Sequence, residues 1–112
     1  MGQIDGLEIK RALKSVNASQ TDSELVAAVT DRKIRVLAVT MSAGATKTGS
    51  TFNTKGTEAG TAISCLYSNP ADVPVVLPFN PAGWFETTAG EALTVTTGGG
   101  SATGYQVVYV VD

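Results

Sequence analysis

Glu86 and Glu91 are the two carboxylates whose spacing most invites a chemical reading, a general acid and its partner for glycoside hydrolysis. No aromatic-lined cleft or supporting polar constellation can be read around them, so the pair is left without a catalytic assignment. The sequence contains no histidine. That removes imidazole acid–base catalysis, the Ser-His and Cys-His nucleophile systems and most zinc sites. Its single cysteine, Cys65, can form no intrachain disulfide and cannot build a thiolate cage. It sits in the apolar run Ala62-Ile63-Ser64-Cys65-Leu66-Tyr67, without a basic neighbour to lower its pKa, and reads as a small buried hydrophobe. Asp22 with Glu24, and Asp72 with Asn69, lack the alternating acidic loop of a calcium site. The glycine-rich stretch 98–104 lacks the Lys-Ser/Thr ending of a phosphate loop and links two strands, so it reads as a hairpin loop. The residue types therefore point to no enzyme, no cofactor and no metal, and the remaining question is what the chain contacts.

Composition narrows the partners. The 112 residues carry 8 basic and 10 acidic side chains, a net charge of -2, with 43% hydrophobic and only 16% charged residues. Thr, Ser and Gly take the place of the missing charges. This describes one folded, neutral-surfaced domain. Nucleic-acid binding by bulk charge needs clustered Lys/Arg and a basic pI, so it is not expected. No stretch approaches the ~20 apolar residues of a membrane span, and no signal-peptide pattern opens the chain. No membrane partner and folding in a reducing cytoplasm are the expectations.

The elements that must position any contact residues read as strands. Short β-branched runs predict strands at about 8–16, 23–29, 33–43, 50–54, 62–67, 75–77, 84–88, 92–97 and 104–111. Between them stand Thr30-Asp31-Arg32, residues 44–49, 56–60, Asn69-Pro70, Asn80-Pro81-Ala82-Gly83, Ala89-Gly90 and Gly98-Gly99-Gly100. Ser19-Gln20-Thr21-Asp22 resembles a capping box, but only five apolar residues follow it, and strand is the better reading. Eight or nine short strands in one domain imply an all-β sandwich, of jelly-roll or related Greek-key type. Residues 1–18 read as an N-terminal arm with the first strand, and 19–112 as the sandwich. The 33–43 strand is apolar on both faces, with Ile34, Val36 and Ala38 on one and Leu37, Val39 and Met41 on the other. Such a strand needs cover on its outer side or a subunit contact there.

Two kinds of residue are candidates for partner or subunit contact. Segment 75–86 holds the lone tryptophan and two of the three phenylalanines, and Pro78 and Pro81 force an edge or corner. Phe79, Trp84 and Phe85 are its candidate contacts, against the plainer reading of a corner whose Trp84 and Phe85 plug one end of the sandwich; because adjacent strand residues point to opposite faces, at most one of Trp84 and Phe85 belongs to the core and the other needs cover or a partner. Lys10, Arg11 and Lys14 form a cationic group near the start that reads as solvated or partner-facing. Arg32, Lys33 and Arg35 form a second basic surface cluster.

Several of these runs together resemble a known family. They are Leu25-Val26-Ala27-Ala28-Val29, Lys33-Ile34-Arg35-Val36-Leu37, the run Val76-Leu77-Pro78-Phe79-Asn80-Pro81-Ala82-Gly83-Trp84-Phe85-Glu86-Thr87, then Ala89-Gly90-Glu91-Ala92-Leu93 and Val108-Tyr109-Val110. The pattern, over about three quarters of the chain, is similar to small virion structural proteins of tailed bacteriophages. The resemblance implies a compact β-sandwich on the particle surface, acting as a capsid decoration or cement protein. Its partners would be the major capsid protein and further copies of itself, a trimer being suggested by the three-fold positions of such shells. It carries over no catalytic residue. The alternative is a tail, head-fibre or spike component that adheres to host-surface glycans through Trp84, Tyr67 or Tyr105. Strands apolar on both faces and a weakly charged exterior suit close packing on a shell, where strong like charge would repel.

Overall fold

The computed structural model describes residues 3–4 and 6–112, and among them there is no helix. Twelve strands follow one another: β1 (Gln3–Ile4), β2 (Leu7–Glu8), β3 (Lys10–Val16), β4 (Ser23–Val26), β5 (Ile34–Ala43), β6 (Thr48–Lys55), β7 (Thr61–Ala62), β8 (Tyr67–Asn69), β9 (Val75–Leu77), β10 (Phe85–Glu86), β11 (Ala92–Thr97) and β12 (Thr103–Val111). β1 and β2 form a small hairpin. The rest form two antiparallel sheets, β3-β12-β5 with β9 and β10 end to end on the far side of β5, and β4-β11-β6 with β7 and β8 end to end beside β6. The antiparallel partners are thus first with last, second with second-last, and so inward: β3 with β12, β4 with β11, β5 with β9/β10, β6 with β7/β8. That winding of a long hairpin into two packed sheets is the jelly roll, the first of the two architectures expected.

The core lies between the sheets, and a bulge decides which side chains reach it. Pairing of β12 with β5 passes from Val108–Ala38 to Tyr109–Val36, leaving Leu37 as an extra residue. The insertion shifts the inward phase of β5. Ile34 and Val36 before it, and Val39 and Met41 after it, all enter the core. Strict alternation had placed Ile34 and Val36 opposite Val39 and Met41. The apparently two-faced strand is therefore one apolar face read across a bulge, and its outer face beyond Leu37 carries Ala38, Thr40 and Ser42. Phe52 of β6 sits at the centre, fully buried. Its ring stacks on Phe85 (5.0 Å between centroids, 26° between planes) and meets Tyr105 and Tyr67 edge-on at 5.9 and 6.1 Å.

Three of the predicted elements differ in detail. The second strand ends at Val26, and residues 27–33 cross to the other sheet; within that crossing Asp31 stands at φ 59° in a turn closed by Arg32 N–H to Val29 O. Likewise, the glycine-rich stretch crosses from β11 in one sheet to β12 in the other. At Gly100 (φ 121°) a Cβ would lie 2.4 Å from Lys47 O, so this position requires glycine. The predicted 62–67 strand splits into β7 and β8. Between them Ser64 Oγ takes the Phe52 N–H at 2.9 Å, replacing a ladder bond, and the chain swings Cys65 and Leu66 outward. Cys65 is thus exposed, not the buried hydrophobe expected. Residues 10–16, in the N-terminal segment, pair along β12 as the edge strand of a sheet.

Asp22 locks the outer side of the second sheet. It adopts φ 50° and places its carboxylate against Asn53 Nδ2 and Thr94 Oγ1 (3.2 Å each) and Gly60 N–H (3.0 Å), while its own N–H reaches Thr96 Oγ1. A Cβ on Gly60 would sit 2.2 Å from Asp22 Oδ1, so a side chain there would have to displace the Asp22 carboxylate from its partners. Charge-assisted bonds to partly buried donors are worth ~1.5–3 kcal/mol each, and removing one shared acceptor leaves several donors unpaired. Asp22→Ala is expected to cost ~2–4 kcal/mol in urea denaturation, with Asp22→Asn, which tolerates the left-handed backbone, costing less.

Candidate functional site

The chain around Pro78 and Trp84 is built as a rigid corner. Between β9 and β10 it stays pinned to β5: Asn80 N–H bonds Leu37 O and Trp84 N–H bonds Val36 O, both at 2.8 Å. Asn80 closes the turn from within, accepting Ala82 N–H on its side chain at 3.0 Å and Gly83 N–H on its carbonyl at 2.9 Å. Gly83 takes φ 92°, and a Cβ there would meet Arg35 Cγ at 2.6 Å. The indole of Trp84 folds back to donate Nε1–H to Pro78 O at 2.7 Å. Two large apolar side chains are left facing solvent on this frame, Phe79 (53% exposed) and Trp84 (39%). Phe85 turns inward onto Phe52, so of the three aromatic candidates it serves the core and the other two form the outward corner.

The cationic candidates lie along the edge strand β3. Lys14 Nζ donates to Glu24 O of β4 at 2.8 Å, tying the two edges of the sandwich together. Lys10 and Arg11 are exposed, and charge on an open edge discourages unwanted strand pairing. In the second basic cluster Lys33 pairs with Glu86 at 3.7 Å, with both side chains about half exposed, whereas the Arg35 side chain is 15% exposed and approaches Asp112 at 4.0 Å. The two carboxylates weighed as a hydrolytic pair are engaged separately, Glu86 with Lys33 and Glu91 accepting Thr54 Oγ1–H at 2.8 Å.

Of the outer face of the β3-β12-β5-β9 sheet, sequence flagged only the outer side of the 33–43 strand, as needing cover or a subunit contact. Register places Leu13, Gln106, Thr40 and Val76 in one outward row across four strands, with Leu13 71% and Val76 57% exposed. Flanking rows carry Ser15, Gly104 and Ser42 on one side, Arg11, Val108 and Ala38 on the other. A shallow depression of about 420 Å³ opens over Gly104, lined by Leu13, Lys14, Ser15, Thr40, Ser42 and Gln106. The signal available in sequence was Leu13, an apolar residue on the same side of its strand as Arg11 and Ser15.

Inside, a hydroxyl chain runs from Tyr105 OH to Ser50 Oγ and on to Asn69 Oδ1 at 2.7 Å from Ser50. Asn69, considered as a calcium ligand, is fully buried in this chain. Burial pushes the Tyr105 phenol above its ordinary value, only partly opposed by its bonds to Ser50 and Thr103. Tyr67 and Tyr109 are raised too, chiefly by desolvation, with the Cys65 thiol adding to the effect at Tyr67. The fold thus holds the neutral phenols more tightly than the unfolded chain does. Stability from this source is intact below the ordinary tyrosine value near 10 and is lost as pH rises past it. Urea midpoints are expected to hold steady from about pH 7 to 9 and to fall above about pH 10; a midpoint unchanged at about pH 11.5 would contradict the burial of Tyr105.

The structure thus leaves two apolar features facing solvent, the Phe79–Trp84 corner and a sheet face whose central row is uncharged. Comparison with protein-family models, curated proteins and solved structures finds no match to the chain. Among the described residues no group of three or more Asp, Glu or Cys side chains is arranged to hold a metal ion. What the arrangement offers chemically is burial of apolar surface against another macromolecule, with Phe79 and Trp84 as pre-formed anchors.

Proposed function

We propose that the chain is a non-enzymatic structural protein of a tailed-bacteriophage virion, a decoration or cement protein that binds the major capsid protein on the assembled shell as a homo-oligomer. The observation that carries this reading is the Phe79–Trp84 corner. The most specific part of the family resemblance, Pro78-Phe79-Asn80-Pro81-Ala82-Gly83-Trp84, is also the segment pinned to β5 with two large aromatic side chains facing solvent. Rigid aromatic anchors that lose little rotamer freedom are what a high-affinity contact uses. Strand packing and a side-chain lock such as Asp22 suit a small protein that must persist on a particle without disulfides.

Adhesion to glycans finds less support. Tyr105, one of its three proposed stacking rings, lies in the core at 3% exposure, leaving Trp84 without that companion on the surface. Co-sedimentation of the purified chain with shells stripped of it tests the reading. Saturable binding supports it, while no binding to shells together with selective binding on a glycan array would replace it with the adhesion role.

A further inference from the structure

We infer that the outer face of the β3-β12-β5-β9 sheet is a self-contact surface, on which two copies of this chain pair about a two-fold axis parallel to the strands. This deepens the homo-oligomer part of the reading above and is independent of the shell. The pattern across the face selects a second copy as the occupant. Its central row runs Leu13, Gln106, Thr40, Val76, apolar at both edges and polar but uncharged in the middle. A two-fold axis between β12 and β5 lays Leu13 of one copy on Val76 of the other, and Gln106 on Thr40. An amide and a hydroxyl can each donate and accept, so the middle pair is satisfied in both halves.

Charge obeys the same symmetry. Arg11, at the β3 edge, makes no ion pair among the described residues, and Glu86, at the β10 edge, lies beside Arg35 in register and has an exposed contact with Lys33 at 3.7 Å. The rotation sets Arg11 of one copy one outward row, about 7 Å along the strand, from Glu86 of the other, within the span of an arginine side chain. Opposite charges at opposite edges of one face are complementary to a rotated copy of that face. The face is three strands wide over about seven residues, with three residues of β9 added at one edge, so two copies bury on the order of 800 Å² in all. That is the size of a weak, transient contact, and the pair is expected to form only toward the upper end of the concentration range tested.

Sedimentation equilibrium of the full chain, from about 5 µM to about 1 mM, tests this without any shell. The expected mass rises from 11.5 kDa toward twice that value. Gly104→Lys is the sharpest variant, because a Cβ at Gly104 meets nothing within 4 Å and the backbone there is unstrained. It is expected to keep the far-UV spectrum and melting point of the parent and to stay monomeric. Arg11→Glu is expected to weaken pairing about tenfold, and adding Glu86→Arg to restore it, which a non-specific surface effect would not do. A monomer throughout, a three-copy mass, or pairing undiminished by Gly104→Lys overturns the inference. A monomer that still binds shells would overturn this contact alone, and a dimer that binds none would overturn only the shell role.

Discussion

Replacing Phe52 with alanine is expected to remove ~3–5 kcal/mol of stability, a large part of the ~5–15 kcal/mol that holds a domain of this size together. Phe52 is fully buried and belongs to the β6 sheet, whereas Phe85 and Tyr105, which it stacks on and meets edge-on, belong to the other. Truncation therefore opens a cavity on the line where the two sheets touch. It also strips the inward faces of Phe85 and Tyr67 of their partner, which adds the loss of aromatic pairing to the loss of buried area. Urea denaturation followed by near-UV and far-UV circular dichroism measures the effect. A loss under about 1 kcal/mol would mean that the sheets are not held together at this ring.

Trp84→Ala combined with Phe79→Ala is expected to weaken shell binding at least about thirtyfold, while the melting point moves by only a few degrees. Both side chains face solvent, and the corner's backbone bonds to Leu37 O and Val36 O do not depend on them. Trp84→Phe separates two contributions. It keeps an aromatic anchor but loses the Nε1–H bond to Pro78 O, so an intermediate loss measures how far that bond pre-organises the corner. Binding unchanged in the double variant would move the shell contact elsewhere on the molecule. The Lys10 and Arg11 edge would then be the next surface to test.

Local features of the sequence carried most of the strand layout. The β-branched run at 33–43, the alternation at 104–111 and the turns at Asp31, Gly90 and Asn80-Pro81 all fall where the structure has strands and breaks. These signals are local because they reflect backbone preference and side-chain periodicity. What depends on distant pairing was not legible. The bulge at Leu37 arises from the register of β5 against β12, residues some seventy positions away, and it reassigns Val36 and Val39 to the same face. Cys65 looked buried because its neighbours are apolar, yet Ser64 substitutes for a ladder bond and turns the segment outward. Asp22 carries no sign in sequence that Asn53, Gly60 and Thr94 will converge on it. Of the two solvent-facing features, the aromatic corner was visible from Pro78 and Pro81. The row across the sheet face was not, because Leu13, Thr40, Val76 and Gln106 become neighbours only through strand order.

The central claim is the shell role, and copy number tests it most directly. The measurement is the amount of this chain in virions purified from the culture that produces it, by quantitative mass spectrometry against the major capsid protein. The decoration reading predicts a stoichiometry comparable to that of the shell protein, spread over the whole lattice. A handful of copies per particle would contradict it and assign the chain to the tail or fibre apparatus, and absence from the virion would contradict a structural role altogether.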